Sequence, residues 1–456
     1  MSPVKMTTLE RRAALSLASI FALRMLGLFM ILPVFALYAE HLDGVTPLLV
    51  GLAIGVYGLT QALLQIPFGM ASDRVGRKPV IAVGLLIFAI GSVVAAMADT
   101  IHGVILGRAL QGAGAVAAAV MALVADLTRE DHRSKAMAVI GMTIGFSFLA
   151  AMVAGPLLNQ WIGVPGIFWL TAVLAVGGVA VLFTAVPTPK KSTFHRDAEP
   201  VPAQFSEVLH DKELLRLDLG IFVLHLILTS SFVVVPLALR DAGFAGADHW
   251  QLYLPVMVLA MGLAVPFIII AEVKRRMKEV FVGAVAALLL AQLLLAWDHG
   301  GVIIIGVLML LFFSAFNLLE ATLPSLVSKV AHADGKGTAM GIYASSQFIG
   351  AFIGGVSGGW AYGIWGSSAV FLLNAGMLLL WLLVAATMRP PRYLVSELIR
   401  VGEQSTDSAA ALEQELMRIP GVAEVSVCTE DGVAYMKVDK KRVDMDVLQR
   451  YMVSES

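Results

Sequence analysis

The chain has 456 residues, of which 58% are hydrophobic and only 14% charged, against about 25% charged in an ordinary soluble domain. That composition excludes a soluble globular protein, whose helices would all have to be apolar on every face. A net charge of −1 gives no reason to expect nucleic acid, and a single cysteine, Cys428, excludes an intramolecular disulfide framework and a cysteine-based metal cluster.

Apolar runs long enough to cross a bilayer recur from Ala13 to Ala386. They predict an all-α polytopic membrane protein with twelve transmembrane helices. These lie near 14–38, 48–70, 79–98, 102–125, 136–158, 166–187, 217–239, 251–271, 279–297, 301–325, 338–362 and 367–388. The first run is too long for a cleavable signal and many others follow it, so none is expected.

Span 1 carries Arg24 deep in its apolar run, and span 2 carries Gln61 and Gln65. Between spans 2 and 3, "GMASDRVGRKPV" packs Gly69, Asp73, Arg74, Gly76, Arg77 and Lys78 between two uncharged stretches. Gly69 lets a neighbouring backbone approach, and Gly76 permits a tight turn. Asp73 and Arg77 are four apart and can meet. Enforcing topology explains the three basic residues but not Asp73, since acidic residues contribute little to topology.

Span 4 carries Arg108 about six residues from its outer end. Two readings stand there, snorkelling to the interface and a role in coupling. A polar stretch, Pro187 to Arg216, follows span 6 and divides the membrane part into six plus six. His225 in span 7 and Glu320 in span 10 both lie roughly 12–14 Å deep at 1.5 Å per residue. Such a pair can hold and release a proton; the alternative is a static pair closing one side. Asn317, Tyr343 and Gln347, with Gln61 and Gln65, either contact a substrate or bond another helix.

Lys and Arg collect on one side: Lys5, Arg11 and Arg12; Arg74, Arg77 and Lys78; Arg129, Arg133 and Lys135; Lys190, Lys191, Arg196, Lys212 and Arg216; Lys274, Arg275, Arg276 and Lys278; Lys329 and Lys336. The opposite side holds only Arg240. Both ends and the linker are therefore expected in the cytoplasm. The halves also echo each other. "KAMAVIGMTIGFSFLAAMVAGP" from Lys135 aligns without gaps to "TAMGIYASSQFIGAFIGGVSGG" from Thr338, placing Gly155 on Gly358. Internal repeats of this kind are the usual build of secondary transporters.

The last 68 residues carry 21 charges, against 44 in the preceding 388, which marks a separate domain. A strand near 393–401, a capped helix in "TDSAAALEQELMRIP", two strands turning at Asp431-Gly432 and a helix in "DMDVLQRYMV" are expected. This β-α-β-β-α order is a small α+β ferredoxin-like plan lacking its last strand. Leu412, Leu416 and Ile419 share a helix face, with Val425, Val427, Val433 and Tyr435 expected beneath it. The missing strand leaves an open edge, which invites dimerisation or docking on the loops. Lys437, Lys440, Lys441 and Arg442 form either an anion-binding cluster or a solvated face. With only Cys428, the tail is not expected to hold a soft metal.

"GMASDRVGRKP" resembles the signature loop of the major facilitator superfamily. "RMLGLFMILPVF" (Arg24–Phe35), "RALQGAGA" (Arg108–Ala115) and Gly155-Pro156 resemble motifs of its twelve-helix drug/proton antiporters. Met142 and Ala151 stand where the last motif carries glycines, a departure that counts against antiport. The resemblance implies two six-helix repeats and alternating access. It implies that Asp73 faces the N-terminal end of span 11, near Gly337 and Thr338, in the outward-open state. Arg77 would bridge Asp73 to Asp126, making the loop a latch between the halves, with a faint copy at Glu272 and Arg276. It implies a proton-coupling role for Arg24 and Arg108, and a cavity lined by spans 1, 4, 7 and 10.

The reading is a proton-driven transporter of the bacterial inner membrane, exporting small amphipathic compounds. The alternatives are a proton symporter or uniporter for a metabolite, and a transporter-like sensor signalling through the tail. Residues 1–187 and 217–389 form the two halves, 188–216 the linker and 390–456 the cytoplasmic domain. The membrane part is expected to be monomeric. No cofactor, metal site or enzyme activity is expected, since no metal-ligand cluster, nucleotide loop or nucleophile elbow is present.

Overall fold

The computed structural model describes residues 6–189, 201, 204–332, 334–390, 394–402, 404–429, 432–439, 442–444, 447–448 and 450–451. Lys5, Lys190, Lys191, Arg196, Asp431, Lys440 and Lys441 lie outside them, as does half of the expected final helix.

Among the described residues, eleven apolar helical segments are long enough to span a membrane. Span 1 is α1 (Thr8–Phe29) followed by α2 (Leu32–Ala39). Thr7 and Glu10 form a reciprocal capping box at the start of α1, satisfying its first free amides. Pro33 sits in the first turn of α2, where its missing amide hydrogen costs nothing. Spans 2 and 3 are α3 (Pro47–Val75) and α4 (Arg77–Ala96). Span 4 breaks into α5 (Ile101–Ala113) and α6 (Ala117–Leu127).

The helical segment α7 (Glu130–Thr184) holds spans 5 and 6 and reverses at Gly163, whose φ of 65° suits glycine. Contacts on either side prove the reversal. A Cβ on Gly155 would lie 2.4 Å from the Met30 carbonyl, while Thr171 donates to the Gly27 carbonyl at 3.4 Å. Both flanks thus meet the same turn of α1, giving twelve spans from eleven segments.

The linker holds a short helix, α8 (Phe205–His210). Spans 7 to 12 are α9 (Lys212–Asp241), α10 (His249–Val273), α11 (Met277–Trp297), α12 (Val302–Val330), α13 (Lys336–Trp365) and α14 (Ser367–Ala386). The sequence echo has a structural counterpart. Gly155 approaches span 1 at Met30, and its equivalent Gly358 approaches span 7 at Ser230.

The halves meet along α3 and α13. A Cβ on Gly51 would lie 2.0 Å from the Gly355 carbonyl, and one on Gly359 2.3 Å from the Pro47 carbonyl. Nearby, Arg240 pairs with Glu40 at 2.5 Å, and Gln160 donates to the Ala247 carbonyl. These contacts lie on the side away from the basic loops. Arg240, the one basic residue on that side, serves as an ion-pair partner between the halves.

The tail is β1 (Val395–Arg400), α15 (Thr406–Met417), β2 (Val422–Cys428) and β3 (Val433–Val438), an antiparallel sheet in the order β1-β3-β2. The register corrects one grouping. Val425 and Val427 oppose Met436 and Ala434, and these pack with Leu412, Leu416 and Ile419. Val433 and Tyr435 oppose Cys428 and Ser426 instead, on the other face, because side chains alternate with period two.

That second face meets the membrane part. Lys437, cross-strand to Glu424, donates to the carbonyls of Lys329, at 2.7 Å, and Ala331. Those carbonyls end α12, where a cation is favoured. Lys437 is therefore buried rather than part of a solvated cluster, and its burial lowers its pKa. Ser426 donates to Asp334 at 3.3 Å, and Arg275 lies 3.6 Å from Asp439. The sheet face, not the expected open edge, makes this contact.

Candidate functional site

Three polar groups stand out against the apolar background. The first is the loop between α3 and α4. Gly76, with a φ of 106°, ends one helix and begins the next. The turn delivers Arg77 inward, where it is 3% exposed. It donates to Ser72 at 2.8 Å, to Asp73, and to Asp126 at 3.2 Å. Lys78 donates to the Val186 carbonyl at 2.7 Å, tying span 3 to the end of span 6. Arg74 is exposed, and Gly69 packs against Ala118 of α6.

Asp73 does not reach Gly337 or Thr338 among the described residues. The Thr338 hydroxyl donates to Gln204 and accepts from the Val201 amide, both in the linker. The contact implied for the outward-open state is thus absent here, where the halves close on the opposite side. The second half does not repeat the four-residue pairing either. Glu272 accepts from Lys329 at 2.6 Å and from Ser325, while Arg276 faces Glu279 at 3.7 Å. The bridge from loop to span recurs with its charges exchanged.

The second group fills the first half. Arg24 is 1% exposed and donates to Tyr57, Gln61 and the Gly114 carbonyl at 2.7, 2.6 and 3.2 Å. Its Nε and Nη1 are buried without partners among the described residues. Arg108 donates to Gln111 at 2.8 Å and to the carbonyls of Ala53 and Ile54. Both guanidiniums lie over the Tyr57 ring, at 5.9 and 5.3 Å. Their hydrogen-bond partners among the described residues are neutral, so ring faces and carbonyl dipoles carry the burden of two buried cations. Arg108 is held inside, not drawn out to the interface. Gln61 is fully buried beneath Arg24, and Gln65 donates to Ser345 of α13 at 2.7 Å. Both glutamines bond protein groups rather than face an open cavity.

The third group fills the second half. His225 Nε2 lies 4.0 Å from Glu320 and 2.8 Å from the Gln347 amide nitrogen, while Nδ1 faces the Ile221 carbonyl at 3.3 Å. A donor at Nε2 and a carbonyl at Nδ1 fit a neutral ring with its hydrogen on Nδ1. Glu320 exposes 39% of its side chain, yet its Oε2 is buried without a hydrogen bond. The buried Tyr343 hydroxyl also lacks a partner, and Asn317 is half-buried. Phe316 lies 5.9 Å from His225 and stacks at 6.1 Å on Phe148 of span 5. The pair therefore sits where the two halves meet.

Sequence reading passed over two buried polar residues, Tyr57 and Asp218. Tyr57 organises both arginines, a role no local pattern announces. Asp218 is 7% exposed on α9. An acid just inside an apolar span was its signal.

The profile of the Major Facilitator Superfamily matches residues 17–355. The "Inner membrane transport protein YajR" of Escherichia coli (strain K12) is 49% identical over 97% of each chain. The "Multidrug resistance protein MdtH" of Yersinia enterocolitica is 26% identical over 74% of this chain and 83% of its own. Among solved structures, a bacterial homologue of the human lysosomal transporter Spinster superposes with a TM-score of 0.72 at 13% identity. That match covers 84% of this chain and 98% of the other.

Proposed function

The chain belongs to the major facilitator superfamily, whose matched members are transporters and not enzymes, and on that premise we propose that it is a proton-driven exporter of small amphipathic compounds. It works by alternating access, with residues 1–187 and 217–389 rocking about the seam between α3 and α13. The observation that carries the coupling is Glu320, whose buried Oε2 has no hydrogen bond and lies 4.0 Å from a ring able to take a proton. Arg24 and Arg108 are read as the fixed positive counterpart in the other half. Asn317, Tyr343 and Gln347 are read as facing the substrate path. Its basic loops put both ends in the cytoplasm, its likeness to an inner membrane protein of Escherichia coli supports placing it in the bacterial inner membrane, and this conformation is read as inward-facing. Export rests on the resemblance to drug/proton antiporters and on the multidrug relative.

Substrates are found by thermal-shift screening of the purified chain and then assayed in inverted vesicles. Glu320→Gln is expected to abolish gradient-driven uptake and to retain counterflow, because exchange moves no net proton. Gradient-driven uptake at the wild-type rate would remove Glu320 from the mechanism. Uptake in the opposite sense would favour the symporter reading.

Residues 390–456 are read as a ferredoxin-like cytoplasmic domain that regulates transport by docking on the loops. His332 is the junction: it donates to Glu424 of the tail at 3.0 Å and lies 3.6 Å from Glu207 of the linker. Burial works against the charged ring, but the hydrogen bond and charge of Glu424, with the charge of Glu207, outweigh it and the opposing Lys437. Its pKa is raised above 6.5. The docked state therefore binds the proton more tightly than the released one. His332's contribution to docking is full below the ordinary value and is lost as pH rises through the raised one. Once the intrinsic pH dependence of amide exchange is divided out, protection in β2 should fall as pH rises from the ordinary His range through the raised value. His332→Ala should flatten that dependence; an unchanged profile would exclude His332 as the sensor.

A further inference from the structure

Asp218 has no part in the reading so far. It lies near the start of α9, is 7% exposed, and has no hydrogen-bond or ion-pair partner among the described residues. The nearest cation in sequence, Arg216, is taken by Glu213 at 2.5 Å. An ionised carboxyl in such surroundings is costly unless a cation or a donor meets it. In a membrane span that cost makes it a functional candidate by default.

Packing shows what it faces. Spans 7 and 11 run side by side in close register, with Gly350 against the Phe222 carbonyl and Gly354 against the Leu226 carbonyl. The same offset puts Asp218 level with Ser346, on the stretch of α13 that carries Tyr343 and Gln347. The Tyr343 hydroxyl, one turn before Ser346 on the same helix, is buried and has no partner among the described residues. Gln347 in turn bonds His225. Two acids, one orphaned hydroxyl and one neutral imidazole therefore gather on spans 7, 10 and 11.

We propose that Asp218 is a second proton-binding carboxyl of this transporter, paired with Glu320 across the Tyr343 hydroxyl. It rests on the coupling reading of Glu320 for its role in transport. Tyr343 has one hydrogen to donate, so it can serve only one ionised carboxyl at a time. That makes the two protonations interdependent, and the pair titrates as a unit. Asp218 lies closer than Glu320 to the basic loops, by its place near the start of α9. It is the first carboxyl of the pair that a proton from that side meets.

Infrared titration of the full chain in lipid nanodiscs reads the carbonyl band of protonated buried carboxyls and requires no substrate. Two components are expected in the wild type. Asp218→Asn removes one, Asp218→Glu restores it at a shifted midpoint, and Glu320→Gln removes the other. Tyr343→Phe moves both midpoints. An Asp218→Asn spectrum matching the wild type overturns the proposal. Should that variant not fold, an Asp218→Glu midpoint equal to the wild type overturns it instead. If Asp218→Asn removes a component and Glu320→Gln removes none, the proton site at Asp218 stands and the coupling reading of Glu320 fails. The reverse pattern sinks Asp218 and leaves Glu320 in place.

Discussion

Gly355→Val is expected to drive the protein out of the conformation described above. The Gly51 carbonyl would stand 2.4 Å from a Cβ on Gly355, and Gly55 Cα 3.0 Å. Both are backbone atoms of a packed helix, so no rotamer change relieves the clash. Overpacking of this kind costs about 1–3 kcal/mol, and each 1.4 kcal/mol moves a two-state population about tenfold. On the alternating-access reading the protein has an escape, because rocking the halves parts the Gly51–Gly355 end of the seam. The expected result is a shift towards the opposite-facing state and loss of transport, with the fold retained. Leu37 and Gly246 touch across the same side of the halves, since a Cβ on Gly246 would lie 2.9 Å from Leu37. With one native cysteine, Cys428, a Leu37→Cys, Gly246→Cys pair gives a clean crosslink. Its yield should fall at least severalfold in the Gly355→Val background. A yield that stays the same would mean that the seam does not close this side.

Arg77→Ala is expected to cost more in stability than any other change in the loop between spans 2 and 3. The Asp126 side chain is fully buried, and Arg77 donates to it at 3.2 Å. Removing one partner of a buried pair typically costs about 3–5 kcal/mol, because the remaining charge stays buried. The thermal midpoint of the purified protein should drop sharply. Asp73→Asn should behave differently. The Asp73 side chain is 31% exposed and keeps its neighbours, so the midpoint should barely move. Instead the outward-open state should lose the attraction between Asp73 and the N-terminal end of α13, and crosslinks of the closed state described above should increase. Equal midpoints for Arg77→Ala and wild type would show that the node does not hold the first half together. An unchanged conformational distribution in Asp73→Asn would count against the latch.

Much of the polar chemistry was legible before the fold. The four-residue spacing of Asp73 and Arg77 and the depth of His225 and Glu320 are local facts. The structure brings each pair together. Other polar residues could not be assigned in this way. Gln61 and Gln65 looked like cavity candidates because an amide in an apolar span must bond something, but only packing decides what. Gln61 turned to Arg24 and Gln65 to Ser345. Asp218 was overlooked because its importance lies in what surrounds it on α13.

By itself, the sequence determined the twelve apolar spans, the division into six plus six, and the charged tail with the strand-helix-strand-strand succession of its elements. Each follows from length, composition and period, which act within a single segment. Tertiary structure alone decided the direction in which the halves are closed, the exchanged charges of the Glu272–Lys329 bridge, and the sheet face that the tail presents. Helices apolar on all sides carry little information about rotation around their own axes. Which polar side chain meets which neighbour is fixed only when backbones pack, as at Gly51 and Gly355, and that packing is set by pairs of segments far apart in the chain.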